Sequence, residues 1–202
     1  MSRKLIAILR GLEPAKAVDT VQVILDAGID WIEVPLNSPD PYRSIGDMQQ
    51  AFGDRANIGA GTVLTTEQVD KVRATGATFI VSPNCNTEVI RHTKSLGMGS
   101  YPGVFSPTEC FAALEAGADA LKIFPAGMMG VGGLKAVRAV LPPETDIYAV
   151  GGVGPANFEE WHAAGASGYG LGSSLFSPDW SIEEVGKQAR ASVEAWDRVH
   201  GG

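Results

Sequence analysis

The chain has little of what several common kinds of site require. Of its 202 residues, 2 are cysteine and 3 are histidine. Cys85 and Cys110 form neither a disulfide framework nor a metal motif, and His92, His162 and His200 lack ligand spacing, so no metal and no cofactor are expected. Two isolated thiols suit a reducing cytoplasm. No run of about 18 apolar residues occurs, so no membrane helix is expected. The apolar run Leu5 to Leu9 is too short for a secretory core of roughly 7–15 residues. Basic residues are not in excess. Against 23 Asp and Glu stand 16 Lys and Arg, a net charge of −7, which argues against a nucleic-acid partner. A small anionic ligand stays compatible, because a pocket can be locally positive on an acidic protein. Linkers, low-complexity runs and long charge blocks are also missing. The expectation is one globular domain over residues 1–202.

What is plentiful is punctuation, with 25 Gly and 12 Pro. Between those signals, strand-length apolar runs alternate with helical stretches. The runs are Lys4 to Leu9, Trp31 to Val34, Asn57 to Ala60, Thr78 to Val81, Met98 to Tyr101, Ala120 to Phe124, Ile147 to Val150 and Gly168 to Leu171. Their near-continuous hydrophobicity suits strands buried on both faces. Helix starts are expected after Glu13-Pro14, Ser38-Pro39, Ser106-Pro107 and Gly154-Pro155. Helix ends are expected at Gly28, Gly76, Gly97, Gly117 and Gly165, spaced 48, 21, 20 and 48 residues apart, or one to two βα units. The tail after Ser181 reads as a last amphipathic helix ending near Val199. Eight strands in strict βα alternation predict an α/β fold, the (β/α)8 TIM barrel. A doubly wound sheet is the competitor, and no G-x-G-x-x-G follows the first strand to support it.

In such a barrel, chemistry gathers at the C-terminal ends of strands, so charged residues placed there are informative. Lys16, Lys71, Lys94, Lys135 and Lys187 fall in predicted helices, and Lys4 opens the first strand at the opposite rim. Only Lys122 interrupts an apolar strand near its end, in Leu121-Lys122-Ile123-Phe124. Alternation turns it away from Leu121 and Ile123, toward a barrel interior. Desolvation there lowers an amine's pKa and suits a Schiff-base nucleophile. Glu33 is the one acidic residue inside a strand, where a raised pKa suits a general acid–base. Lys122 could instead snorkel to the rim, or pair with Glu33. Arg10 ends the first strand. It could clamp a carboxylate or phosphate, or pair with Glu33.

Two glycine-rich turns follow strands seven and eight, Val150-Gly151-Gly152-Val153 and Leu171-Gly172-Ser173-Ser174. Small residues let backbone N–H groups reach phosphate oxygens, which marks Gly151, Gly152, Gly172 and Ser173 as a candidate phosphate site. Gly59-Ala60-Gly61-Thr62 offers a hydroxyl at Thr62 above a small-residue floor, or simply tight packing. The aromatics and Met128-Met129 read as packing residues.

Several segments are familiar in this order: Ile8-Leu9-Arg10-Gly11, Glu33-Val34-Pro35-Leu36-Asn37-Ser38-Pro39, Gly59-Ala60-Gly61-Thr62-Val63, Ser82-Pro83-Asn84, Pro102-Gly103, Leu121-Lys122-Ile123-Phe124-Pro125 and Ala149-Val150-Gly151-Gly152-Val153. Nearly end to end, the chain resembles the class I aldolases that split 2-dehydro-3-deoxy-6-phospho sugar acids. The resemblance implies retro-aldol cleavage through a lysine imine, without metal, releasing pyruvate and glyceraldehyde 3-phosphate. It implies Lys122 as nucleophile on the C2 ketone and Glu33 as proton shuttle through a water. Arg10 and Thr62 would hold the carboxylate end, and Gly151, Gly152, Gly172 and Ser173 the phosphate. It also implies a homotrimer.

Two branches of that family differ in C4 stereochemistry. The phosphogluconate pattern places Arg-Thr where this chain has Asn37-Ser38, and Thr where it has Val150. Both departures resemble the phosphogalactonate branch, and losing Arg at Asn37 shifts carboxylate binding onto Arg10. The alternatives are the phosphogluconate epimer as preferred substrate, a sugar epimerase or isomerase, and a non-catalytic phosphosugar-binding barrel.

Overall fold

The structure is a computed structural model that describes residues 3–201, so the expected domain limits at 1 and 202 lie outside the described residues. The strands are β1 (Leu5–Ile8), β2 (Trp31–Pro35), β3 (Asn57–Gly61), β4 (Phe79–Val81), β5 (Gly99–Tyr101), β6 (Gly103–Val104), β7 (Leu121–Ile123), β8 (Ile147–Val150) and β9 (Gly168–Leu171). Every pairing is parallel, in the order β5-β4-β3-β2-β1-β9-β8-β7-β6. The two ends of that order, β5 and β6, are separated in sequence only by Pro102, so the sheet closes on itself. Proline has no N–H to give to a ladder, which interrupts the strand. Its carbonyl still accepts from the Lys122 N–H at 2.9 Å. The nine segments are therefore eight staves, and the fold is the (β/α)8 barrel.

Helices α1 (Pro14–Ala27), α2 (Pro41–Phe52), α3 (Thr66–Ala74), α4 (Thr87–Ser95), α5 (Pro107–Glu115), α6 (Ala126–Arg138), α7 (Phe158–Ala163) and α8 (Ile182–His200) surround the sheet. The expected glycines do end helices or the turns after them, with φ of +99° at Gly28 and +101° at Gly165, a conformation costly for other residues. Ser106 and Glu109 form a capping box at the start of α5. Two helix starts differ from expectation. Helix α2 begins after Asp40, with Pro41 in its first turn, rather than after Ser38. Helix α7 begins only at Phe158, because Asn157 folds back on Gly154. The Gly154 N–H donates to Asn157 Oδ1 and the Asn157 N–H to the Gly154 carbonyl, each at 3.0 Å, so residues 154–157 form a turn. Among the described residues, no helix is long and apolar enough to cross a membrane.

Alternation along the strands divides the apolar residues into two cores. Leu5, Ala7, Ile32, Val34, Leu121, Ile123, Ile147 and Ala149 pack outward against the helices. Ile6, Ile8, Phe79, Val81, Ala120, Tyr148 and Val150 pack inward, with Trp31, Tyr101 and Phe124 against them. Glycines on neighbouring strands make room for the large inward side chains. A Cβ on Gly59 would lie 2.6 Å from the Phe79 ring, one on Gly168 would lie 2.6 Å from Tyr148, and one on Gly170 would lie 2.7 Å from Val150. Large and absent side chains thus interlock across the barrel axis.

Two glycine substitutions should therefore move stability in opposite directions. Gly59→Ala also meets the Phe79 carbonyl oxygen at 2.6 Å, backbone that cannot rotate away. It should destabilise by about 1–3 kcal/mol through overpacking. Gly46 lies inside α2 with nothing within 4 Å of an added Cβ. Gly46→Ala should stabilise by about 0.5–1 kcal/mol. Urea unfolding midpoints of both variants check the pair of signs.

Candidate active site

Strand β2 turns Ile32 and Val34 outward, so Glu33 between them faces the barrel interior, where it is 1% exposed. Strand β7 does the same for Lys122, which is 7% exposed between Leu121 and Ile123. Both line a very small cavity of about 10 Å³, with Ile6, Ile8, Val81, Tyr101, Tyr148, Val150 and Gly170. The two side chains sense each other's charge yet form no direct ion pair, and Glu33 Oε2 is buried with no hydrogen-bond partner. Lys122 Nζ lies instead over the Phe124 ring, 4.9 Å from its centroid.

Burial sets the protonation of both groups. It pushes the Glu33 carboxyl above the usual carboxylate range, opposed by the positive charges of Lys122 and Arg10. It pushes the Lys122 amine below the usual lysine value, opposed by Glu33 and assisted by Arg10. Both shifts favour neutral forms, so the site holds an available amine beside a carboxyl able to keep or yield a proton. Room for that carboxyl comes from Gly61, since a Cβ there would lie 2.6 Å from Glu33 Oε1.

Above the cavity lies an open cleft of about 620 Å³. Ile8, Val150 and Gly170 line both spaces, so the cavity is the floor of the cleft. The cleft brings together Arg10, Gly151, Gly152, Gly172 and Ser173, all five singled out by sequence. Gly151 and Gly152 follow β8 with φ of +92° and +79°, a turn that only glycine makes without strain. The Gly151 carbonyl accepts from the Gly127 N–H at 2.9 Å, which ties this turn to the start of α6. After β9, the Gly172 carbonyl accepts from both Leu175 and Phe176 N–H groups at 2.9 Å. These bonds fix the two loops and leave the Gly152, Val153, Ser173 and Ser174 N–H groups without an acceptor among the described residues. Unpaired amides on residues that line a cleft are suited to an anion.

Arg10 stands on the rim rather than against Glu33. Its Nη1 donates to Asn37 Oδ1 at 2.7 Å, and one residue on, the Gly11 N–H donates to Ser38 Oγ at 2.9 Å. The loop after β1 is thus tied to the loop after β2 at two adjacent points. Thr62 lines neither space. It is half-buried just beyond β3 with φ of +57°, an uncommon conformation for a β-branched residue.

Sequence reasoning passed over Phe124, Tyr101 and Tyr148. The parity that turned Lys122 inward also turns Phe124 inward two residues later, and that was the available signal. Trp31, Phe79, Tyr101 and Tyr148 make successive ring contacts at 4.9–5.8 Å below the amine. Burial pushes the Tyr101 hydroxyl up to about 12, so it stays a neutral phenol. The cysteines are packing residues, since burial raises both thiols, Cys110 to about 11.

Known proteins give the arrangement its relatives. The profile of the family described as KDPG and KHG aldolase matches residues 1–190. The 2-dehydro-3-deoxy-6-phosphogalactonate aldolase of Escherichia coli K12 is 50% identical over 192 residues, 95% of this chain and 94% of that one. A solved native KDPGal structure superposes with a TM-score of 0.98 at 47% identity, covering 100% of this chain and 98% of that one. A KDPG aldolase from Legionella pneumophila, solved with pyruvate captured at low pH as a covalent carbinolamine, has a TM-score of 0.83 at 28% identity, covering 98% and 94%. Likeness of this extent, in sequence and in fold, makes the protein a member of the KDPG and KHG aldolase family.

Proposed function

We propose that this aldolase cleaves 2-dehydro-3-deoxy-6-phospho-D-galactonate to pyruvate and D-glyceraldehyde 3-phosphate through an imine on Lys122. The observation that carries this reading is the unpaired Lys122–Glu33 couple on the floor of a cleft walled by two glycine-rich loops. The neutral Lys122 amine adds to the C2 ketone to give a carbinolamine. Protonation of its hydroxyl and loss of water leave a protonated imine. Removal of the C4 hydroxyl proton then drives the C3–C4 electron pair toward the imine carbon. That step releases the aldehyde and leaves an enamine. The enamine takes a proton at C3, and hydrolysis of the resulting imine frees pyruvate and the amine. Glu33, through a water, carries the protons in each step, a role its raised pKa supports. No step requires a metal or an organic cofactor.

The loop amides and Ser173 take the phosphate. Arg10 takes the carboxylate, with Thr62 assigned to the same end on family resemblance alone. The pull toward the galactonate epimer rests on Val150, buried at the seam between cavity and cleft, where it offers no hydrogen bond to a C4 hydroxyl. The 50% identity to an enzyme named for that substrate supports the same choice. The protein works as a cytoplasmic homotrimer in this reading. Exposed Phe105 and Phe111, on and just before α5, are apolar surface a neighbouring copy would cover.

Pyruvate with borohydride should attach one three-carbon group, mapped to Lys122 by peptide mass, and Lys122→Ala should abolish it. Only the free amine reacts and burial lowers its pKa, so trapping should rise with pH around a midpoint below about 10.4, the ordinary lysine value. A label on another lysine, or a midpoint at the ordinary value, would contradict the reading.

Gly172 lines the cleft with nothing within 4 Å of an added Cβ, so Gly172→Val should fold normally. Its side chain should raise KM for the phosphorylated substrate at least about tenfold, the loss of one charge-assisted hydrogen bond, while pyruvate trapping stays near wild type. Equal effects on both would place the phosphate elsewhere.

Val150→Thr introduces a hydroxyl at the seam. The kcat/KM ratio of galactonate to gluconate epimers should fall by about 1 kcal/mol, or roughly fivefold, the worth of one neutral hydrogen bond. A wild type that prefers the gluconate epimer would refute the epimer assignment and leave the aldolase reading standing.

A further inference from the structure

Where the cavity meets the cleft, Lys122 makes one contact that the proton chemistry does not use. Lys122 Nζ lies 4.9 Å from the centroid of the Phe124 ring, inside the distance at which an aromatic face attracts a cation. Phe124 packs against the inner core, and its own N–H is held by the Val104 carbonyl at 3.3 Å. On its other side, the ring sits near the phosphate loop, since a Cβ on Gly151 would lie 3.5 Å from Phe124 Cε2. The partly buried ring thus stands in the wall of the cleft, between the amine and the turn after β8.

Charge at this nitrogen has few other partners. Glu33 forms no ion pair with it, and burial raises the carboxyl toward its neutral form. Arg10 adds a charge of the same sign. Tyr101 and Tyr148, which share the cavity, are phenols held neutral by burial. A neutral amine needs no counter-charge. A protonated imine does, because its electrophilic form carries a positive charge until it loses a proton, the C–C bond breaks or water adds.

We infer that Phe124 is a catalytic residue whose π face stabilises the protonated imine on Lys122 and so sets the fraction of bound ketone that stands in that form. The inference rests on the imine reading above. An aromatic face suits this task better than a carboxylate at the same place. It attracts the cation without accepting its proton, and it does not hold the resting amine as a tight ion pair. The geometry gives the ring a direct part in covalent capture and a more modest one in cleavage, because the charge it steadies is consumed as the enamine forms.

The test keeps the size of the ring nearly constant and weakens its face. Phenylalanines bearing one, two and three fluorines are placed at position 124 alone, in the full-length protein. Borohydride inactivation is then measured at saturating pyruvate, where its rate reports the imine population. The rate should fall stepwise with fluorination, by about tenfold in total for a buried cation–π contact, while thermal unfolding stays unchanged. Phe124→Tyr should retain most of the wild-type rate and Phe124→Leu should match the trifluorinated protein. An equal rate across the fluorine series, with Lys122 still labelled, would overturn the role of the ring and leave the imine mechanism intact. A wild type whose Lys122 takes no label would overturn both.

Discussion

The structure turns on an amine and a carboxyl removed from water without being allowed to meet. Pairing them would satisfy each charge and produce an inert buried salt bridge. Keeping them apart inside a low-dielectric barrel leaves each biased toward its neutral form. The rest of the fold supports that separation. Glu33 rises from β2 into space left by Gly61, and Lys122 rises from β7 beside Phe124. Below them, the edge-on contacts of Trp31, Phe79, Tyr101 and Tyr148 fill the barrel axis. The pair therefore faces a dry apolar layer on one side and the cleft on the other.

The two ends of the barrel divide the use of charge. At the end where the strands begin, Lys4 pairs with Asp146 at 2.7 Å, Lys94 with Asp119 at 2.7 Å and Arg3 with Asp197 at 2.8 Å, all partly exposed. Exposed pairs of this kind contribute little each, about 0–1 kcal/mol. They join sequence-distant segments where no chemistry occurs. At the other end, Arg10 donates to the neutral Asn37 amide and, among the described residues, forms no ion pair. Lys4 and Lys122 show the contrast, one a solvated ion-pair partner and the other a desolvated amine.

Much of this was legible in the sequence, for reasons that also explain what was not. A charged residue interrupting a buried strand is rare enough to stand out, and that singled out Lys122 and Glu33. The glycine loops were readable as neighbours because the barrel places the turns after successive strands side by side, and they do line one cleft. Single-residue effects within strands were not readable. Six of the inward positions are glycines, at 59, 61, 99, 103, 168 and 170, and a linear reading that gives Gly59 and Gly61 as a small-residue floor does not say what each one faces. Five of them leave room for a side chain and Gly103 for the backbone of Pro83 and Asn84, and which neighbour each one faces depends on register. The break at Pro102 and the late start of α7 likewise depend on which backbone groups find partners. Arg10 shows the same limit. Its rim position was evident, but the choice between Glu33 and Asn37 as partner depended on how two loops meet.

The tie between Arg10 and Asn37 bears on the entropy of capture. A free arginine side chain loses about 1.5–2 kcal/mol of rotamer freedom when it is fixed. Here one guanidinium nitrogen is already anchored at 2.7 Å before any ligand arrives, and the neighbouring backbone is anchored through Ser38. Much of that ordering happens during folding, so any anion entering the cleft would meet a donor whose orientation is already chosen. The surface of this cleft is thus preorganised at Arg10, and binding there depends more on shape and charge than on ordering a loose side chain.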